Sequence, residues 1–156
     1  LFDRLEMGGP LPDMRWLQRF PQQVKIDIVE RDPYEQRERA LLNLGHTFAH
    51  AFEVLADYGL AHGLAVSQGM AAAANLSLRL GLCSDDTCRR VITALTANGL
   101  PTRHGQDAAA VVAAMQTDKK RERGQLRFVL IDAIGHVSLH NDVPESLVRE
   151  TLEVCR

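Results

Sequence analysis

The residues best suited to chemistry lie in one short polar stretch of a largely apolar region. His46 and His50 are four residues apart, so on an α-helix both side chains project from one face. Asn43 and Arg39 precede them at three- and four-residue steps, so one continuous helix would align all four. His62 follows after a short loop that can bring it back beside His46. A polar row on a mostly buried helix costs free energy unless a metal ion, a substrate or both satisfy it.

A divalent metal ion, above all zinc, suits imidazole ligands of this kind. Zinc binds imidazole nitrogen at about 2.0–2.1 Å, and a catalytic zinc usually has three protein ligands. Two histidines are therefore one ligand short. The alternative is that His46 and His50 are surface or capped histidines, which their spacing alone favours. Asn43, Arg39 and the His62-Gly63 pair together shift the balance towards a site.

Lysines elsewhere in the chain are candidates for binding an anion. The segment 118–124, which begins Asp118-Lys119-Lys120, would place ammonium and guanidinium groups in a turn that holds phosphate or carboxylate. The alternative, which charge alone favours, is a solvated charged turn. Lys25, taken in isolation, is an exposed lysine on a helix. Three other histidines have no partner at a useful spacing and are expected to be structural or solvated: His104, His136 and His140.

Apolar periodicity predicts that helices position these residues, in a mainly α domain with one small β-hairpin. The predicted helices are 13–20, 21–31, 34–57, 62–80, 84–98, 107–117 and 144–155, and the predicted hairpin pairs 126–131 with 136–139. The helix 62–80 is apolar on nearly every side and rich in small residues such as Ala71–Ala74. Such a helix is expected at the centre of its bundle.

Composition narrows the class of protein. The 156 residues are 46% hydrophobic and 24% charged, which predicts one packed domain. A net charge of −2 argues against binding to nucleic acid or to an anionic membrane surface. The chain has no apolar run of membrane-spanning length and no signal-like start, so we expect a cytoplasmic protein. Three cysteines without a Cys-x-x-Cys pair predict reduced thiols, and Leu1 in place of Met predicts a piece of a longer protein.

Three motifs along the chain carry a resemblance. They are LNLGHTFAHAFE from Leu42 to Glu53, HGLAVSQGM from His62 to Met70, and Asp118-Lys119-Lys120. Together they closely resemble the C-terminal domain of 3-dehydroquinate synthases, over nearly all of residues 1–156. The related iron-type alcohol and glycerol dehydrogenases share the histidine pattern and the fold, but lack the Leu-Asn-x-Gly-His-Thr block and the Asp-Lys-Lys motif.

The resemblance implies roles for individual residues. His46 and His62 would be ligands of Zn²⁺ or Co²⁺, with a third ligand, a Glu, supplied by an N-terminal NAD-binding domain that this chain does not contain. His50 would be catalytic and handle protons. Leu64 stands where the family usually has Glu, which predicts weaker outer support of the metal. The implied substrate-binding residues are Lys25, Arg39, Asn43, Lys119 and Lys120.

The implied reaction converts 3-deoxy-D-arabino-heptulosonate 7-phosphate into 3-dehydroquinate and phosphate, in the shikimate pathway of aromatic amino acid biosynthesis. NAD would be bound mainly by the N-terminal domain, so the isolated fragment is expected to be inactive. We also expect a homodimer that binds a sugar phosphate and neither nucleic acid nor membrane. Two alternatives stay open: another sugar phosphate cyclase, of the 2-deoxy-scyllo-inosose or 2-epi-5-epi-valiolone synthase type, and a non-catalytic helical module.

Overall fold

The structure, a computed structural model, describes residues 2–8, 13–34, 38–121 and 126–156, apart from the side chains of Met14, Trp16 and 118–121. The predicted fold class, helical with one hairpin, is confirmed in these ranges. The helices are α1 (Phe2–Met7), α2 (Met14–Arg31), a 3-10 helix (Glu38–Asn43), α3 (His46–Leu55), α4 (His62–Arg79), α5 (Asp85–Ala97), α6 (Ala108–Arg121) and α7 (Glu145–Val154), and the strands are β1 (Phe128–Ala133) and β2 (His136–His140).

Helix α4 is central, as its small residues predict. Ala71–Ala74 are all buried, and α4 packs against α3, α5, α7 and β1. Small side chains allow this because they let neighbouring helix backbones approach closely. The largest fully buried apolar side chains of the core cluster around it: Phe48, Phe52, Leu76, Val111, Leu130 and Leu152.

The hairpin packs on α4 through its apolar strand. In the antiparallel register Phe128 lies opposite His140 and Ile131 lies opposite Val137. The Ser77 hydroxyl donates to the carbonyl of Ala73 at 2.7 Å and accepts the N–H of Ile131 at 2.8 Å, so it joins helix to strand. The predicted hairpin is therefore confirmed, and a buried hydroxyl that makes two hydrogen bonds fixes its position.

Capping residues start several helices where the sequence predicts. The Ser84 hydroxyl accepts the N–H of Thr87 at the start of α5, and the Asp107 carboxylate accepts the N–H of Ala110 at the start of α6. The predicted end of α6 at residue 117 is wrong, because the helix continues to Arg121. Basic side chains are favourable in a last helical turn, where the helix dipole is negative.

The expected break in front of Pro21 is also wrong. Asp13 caps α2 by accepting the N–H of Arg15, and the helix then runs unbroken through Pro21 to Arg31. A proline inside a helix leaves the carbonyl four residues earlier without its helical donor. Pro21 lies in the exposed stretch 18–26, so its ring meets solvent and not a packed neighbour, and the helix tolerates the proline.

One element was not predicted at all. The short helix α1 packs against α5, where the Arg90 guanidinium pairs with Asp3 at 2.8 Å and with Glu6 at 2.9 Å. The hydrogen bonds to these carboxylates raise the pKa of Arg90. A six-residue helix is too short to show periodicity, so only its partner on α5 makes it recognisable.

The predicted continuous helix 34–57 is wrong, and the reason lies at Gly45. The chain forms a 3-10 helix to Asn43, turns at Gly45 with φ +79°, and only then begins α3 at His46. A left-handed backbone conformation cannot continue a right-handed helix. Arg39 and Asn43 therefore do not lie on the same helix as His46 and His50.

Two further features of the fold are the state of its cysteines and the lengths of its helices. Cys83, Cys88 and Cys155 are free thiols, as predicted, and all three are buried. Burial raises the pKa of Cys88 and of Cys155 to about 11, so both stay protonated at neutral pH. Over the described ranges we find no helix with the length and apolarity to cross a membrane.

Candidate metal and substrate site

The site is built on a close crossing of α3 and α4. A Cβ added at Gly69 would lie 2.2 Å from the carbonyl oxygen of Gly45, and one added at Gly45 would lie 2.6 Å from the backbone nitrogen of Met70. Only glycine fits where two backbones meet at these distances. The crossing holds the first turn of α3, which carries His46, against the helix that begins with His62.

The structure brings three histidines together at this crossing. The ring centroids of His46 and His62 are 5.4 Å apart, and those of His46 and His50 are 5.8 Å apart. The return of His62 towards His46, on which the predicted site depends, is therefore observed. His50 is exposed and approaches His46 edge-on, with an angle of 86° between the rings.

Both histidines of the closer pair have their Nδ1 atom beside an acceptor. His46 Nδ1 lies 3.3 Å from the carbonyl oxygen of Leu44, and His62 Nδ1 lies 3.0 Å from Oε1 of Glu53. A carbonyl and a carboxylate only accept hydrogen bonds, so the neutral tautomer with its proton on Nδ1 is the one that fits each contact. The two Nε2 atoms are then the ones with a lone pair to offer a metal ion.

These residues fit a zinc or cobalt ion with an incomplete ligand set. Two imidazoles on one tetrahedral zinc, with Zn–N bonds of about 2.0–2.1 Å, have ring centroids about 5 Å apart. The spacing of His46 and His62 agrees with this value. In the described part of the chain, no three His, Cys, Asp or Glu side chains gather as a metal site. The pair thus supplies two nitrogen ligands of a site that needs at least one more.

A pocket of about 210 Å³ lies beside the cluster and is lined by His50 and Glu53, but not by His46 or His62. His50 and Glu53 line its polar side, and Thr47 fastens its wall to the start of the hairpin by donating to the carbonyl of Arg127 at 2.6 Å. Apolar residues from α6 and the hairpin lead-in, including Met115 and Leu126, close the other side. An imidazole at the edge of such a pocket can exchange protons with a molecule that enters it.

Arg39 and Asn43 lie on the 3-10 helix, which ends shortly before α3 begins at His46. Arg39 is held by its own turn: its backbone N–H donates to the buried carboxylate of Asp32 at 3.0 Å, and its Nη1 donates to the carbonyl of Pro33 at 2.9 Å. The 3-10 helix also packs against the hairpin and α2. Arg39 therefore has a fixed backbone, although the predicted helical stripe does not exist.

The three candidate lysines lie on α2 and at the end of α6. Lys25 is exposed on α2, and its side chain forms no hydrogen bond or ion pair with another described residue. The backbone of Lys119 and Lys120 lies in the last turn of α6 rather than in the predicted turn. Their side chains, and residues 122–124, lie outside the described residues.

Glu53 is the residue that the sequence analysis left without a role. It lies seven residues after His46, so two helical turns place it on the same face of α3 as both histidines. Its carboxylate contacts His62, so the change from Glu to Leu64 does not leave that imidazole without a polar neighbour. Its seven-residue spacing from His46 is the sequence signal that could have indicated Glu53 as part of the site.

The remaining histidines have structural surroundings. Buried His104 stacks on Phe52 with ring centroids 4.7 Å apart, and its Nε2 lies 2.9 Å from the carbonyl of Leu152. Burial lowers the pKa of His104, so it stays neutral at pH 7. On the hairpin, the hydroxyl of Ser138 contacts both His140 and Asp132. His136 is exposed.

Comparison with known proteins places this geometry in a family. Residues 19–121, which include the crossing and all three clustered histidines, match the family model described as 3-dehydroquinate synthase C-terminal. The chain belongs to the 3-dehydroquinate synthase family. It is 43% identical to a 3-dehydroquinate synthase of Synechococcus sp. over 132 residues, which is 83% of this chain and 36% of that protein. It is 44% identical to that of Jannaschia sp. over 167 residues, covering 97% of the chain and 45% of the relative.

Solved structures agree on the fold. The chain superposes with a TM-score of 0.76 and 26% identity on 2-epi-5-epi-valiolone synthase (ValA) of Streptomyces hygroscopicus with NAD⁺ and Zn²⁺ bound, covering 85% of this chain and 37% of that one. A 2-deoxy-scyllo-inosose synthase complexed with carbaglucose-6-phosphate, NAD⁺ and Co²⁺ has a TM-score of 0.73 at 21% identity, over 86% and 39% of the two chains, and supports the fold alone. The chain spans less than half the length of these curated relatives and solved structures.

Proposed function

We propose that residues 1–156 form the metal- and substrate-binding domain of a 3-dehydroquinate synthase, a carbon–oxygen lyase that converts 3-deoxy-D-arabino-heptulosonate 7-phosphate into 3-dehydroquinate and phosphate. The observation that carries the proposal is the pair His46 and His62, with ring centroids 5.4 Å apart and both Nδ1 atoms beside acceptors. Family membership supports it, since residues 19–121 contain this pair.

The proposal includes a second domain and two cofactors. Because the chain spans under half of its curated relatives, we propose that an N-terminal domain binds NAD and supplies the third metal ligand, a Glu. His46 and His62 would hold the metal through Nε2, and that ion would lower the pKa of bound hydroxyls and polarise a carbonyl. NAD would carry the redox chemistry. A homodimer and a cytoplasmic location stay predictions.

The chain's own side chains would bind the substrate and move its protons. His50 is exposed at the edge of the pocket and lies beside the metal pair without a place in it, which suits a proton carrier. The guanidinium of Arg39, on its fixed turn, suits a carboxylate or phosphate oxygen. Asn43, Lys25, Lys119 and Lys120 would complete the polar contacts to the same substrate.

Phosphate release by the full-length protein tests this proposal. With NAD and zinc present, we expect release from the heptulosonate 7-phosphate, and His50→Gln should lower kcat by about 10²–10⁴-fold at unchanged zinc content. The 156-residue chain alone should bind zinc weakly and show no turnover. Full activity of the isolated chain, or no release by the full-length protein, contradicts the proposal.

Another sugar phosphate cyclase activity is the second candidate, because the solved relatives of this fold include such enzymes. Sequence identity favours the first candidate, at 43–44% against 26% for the valiolone-forming enzyme. The heptulosonate carries a carboxylate and glucose 6-phosphate does not. Turnover of a sugar phosphate that lacks the carboxylate, such as glucose 6-phosphate, in preference to the heptulosonate would therefore support the second candidate.

A further inference from the structure

We propose that Glu53 is a positioning residue, which prepares His62 for the metal by holding the proton on Nδ1 and so presenting Nε2. The inference rests on the proposed function, since it concerns a residue that acts on a proposed metal ligand. Its geometric basis is the 3.0 Å contact between His62 Nδ1 and Glu53 Oε1. Histidines that bind metals commonly donate their other ring N–H to a carboxylate, which fixes the ring's tautomer and orientation.

The two partners differ in how firmly they are held. The side chain of Glu53 is 16% exposed, whereas that of His62 is 58% exposed at the first position of α4. A mostly buried carboxylate is costly without a hydrogen-bond partner, and an exposed imidazole is free to rotate without one. The hydrogen bond to the mostly buried Glu53 therefore restricts the rotation of the exposed His62 ring.

The connection between α3 and α4 keeps the two partners in register. Asp57 and Tyr58 both have left-handed backbone angles, with φ of 48° and 56°, which non-glycine residues rarely adopt. The turn is closed by the N–H of Tyr58, which donates to the carbonyl of Glu53 itself at 2.8 Å. Strained angles persist where the surroundings over-determine them, often at functional sites. The two strained residues, Asp57 and Tyr58, lie in the turn that joins Glu53 to His62.

Glu53 is not placed to be a metal ligand itself. Its contact is with Nδ1 of His62, on the opposite side of the ring from the Nε2 atom that faces the proposed ion. Stability alone does not explain the pair either, because an ion pair with one exposed partner contributes little to folding. Orientation of the imidazole is the property that the contact can supply.

Nuclear magnetic resonance of metal-free, ¹⁵N-labelled chain tests the inference at neutral pH without substrate or activity. Long-range ¹H–¹⁵N correlations should show the His62 proton on Nδ1, and Glu53→Ala should lose that preference. Titration with zinc alone should show Kd raised at least about tenfold in Glu53→Ala. Glu53→Gln, whose amide oxygen still accepts a hydrogen bond, should recover most of the affinity.

Glu150→Ala is the matched control, since it removes a carboxylate that pairs with Arg79 at the far end of the same helix α4. It should change neither the tautomer nor the zinc Kd. A wild-type His62 protonated on Nε2 overturns the inference without any variant, and so does an unchanged zinc Kd in a folded Glu53→Ala. Failure of the full-length protein to release phosphate would leave these readouts intact, so it would count against the proposed function instead.

Discussion

Two regions of the molecule hold the candidate residues in different ways. The histidines lie where α3 and α4 touch backbone to backbone at Gly45 and Gly69, with central helix α4 as the support. Arg39 lies on the 3-10 helix and Lys25 lies on α2. Helix α2 is largely exposed and contains an internal proline. The backbone that carries the metal half of the proposed site is thus fixed by core packing, whereas the substrate half depends on a few hydrogen bonds around the 3-10 helix and on the exposed α2.

This difference matches what each half has to do. A metal site needs its ligands within a few tenths of an ångström, which close packing can secure because protein interiors adjust little. Groups that hold a sugar phosphate can adjust as the substrate enters, and long cationic side chains on exposed elements allow that. Substitutions should therefore affect the two halves separately.

The largest effect is expected for Gly69→Ala. The new Cβ would overlap the carbonyl of Gly45 at 2.2 Å, so α3 and α4 must move apart. We expect a loss of about 3 kcal/mol in the free energy of unfolding, measured by urea denaturation, together with loss of zinc binding. Gly63→Ala, on the same helix with no atom within 4 Å of the added Cβ, should be neutral or slightly stabilising. Equal losses in both variants would contradict the role of the crossing.

A smaller effect is expected for Asp32→Ala, which should weaken substrate binding and leave zinc binding unchanged. The Arg39 backbone N–H would lose its buried acceptor, which costs about 1–2 kcal/mol in the free energy of unfolding. In the full-length enzyme KM for the substrate should rise while zinc content stays the same. The control is Asp27→Ala on α2, whose carboxylate accepts from exposed Gln23. Loss of zinc in Asp32→Ala would show that the two halves are not separate.

The smallest effect is a pH dependence from His104 beneath α3. Burial lowers its pKa in the folded protein below the ordinary value of about 6.5, so below that pH the unfolded chain binds more protons. Its contribution to stability is complete above about pH 6.5 and is lost as the pH falls. Urea unfolding between pH 7.5 and 5.5 should show this decline, and His104→Gln should flatten it. The control is His136→Gln, which changes an exposed histidine and should keep the slope. An unchanged slope in His104→Gln would exclude His104 as its source.

Local sequence signals predicted much of this structure. Helix α4, the hairpin and the caps at Ser84 and Asp107 follow from periodicity and from side chains that bond their own backbone. The histidine pair follows from spacing and from the motifs around it. For the helix, the hairpin turn and the caps, the deciding interactions lie within a few residues of chain.

The failures share a cause that local patterns do not contain. Gly45 interrupts the predicted helix because it meets Gly69, which is distant in sequence. Pro21 was expected to begin a helix, but exposure lets α2 continue past it. The contact of Glu53 with His62 depends on the left-handed turn between their helices, whose geometry the residue types alone do not specify. The surroundings in the folded protein, a close backbone contact at Gly45 and solvent at Pro21, decided these positions.

The proposed function depends on His46 and His62 offering their Nε2 atoms to one metal ion. Titration of the ¹⁵N-labelled chain with zinc, followed by the imidazole ¹⁵N signals, measures this. Both Nε2 signals should shift with a single common midpoint, while the Nε2 signals of His50 and His136 should not follow it. Independent midpoints, or a zinc-dependent shift at only one of the pair, would contradict the account.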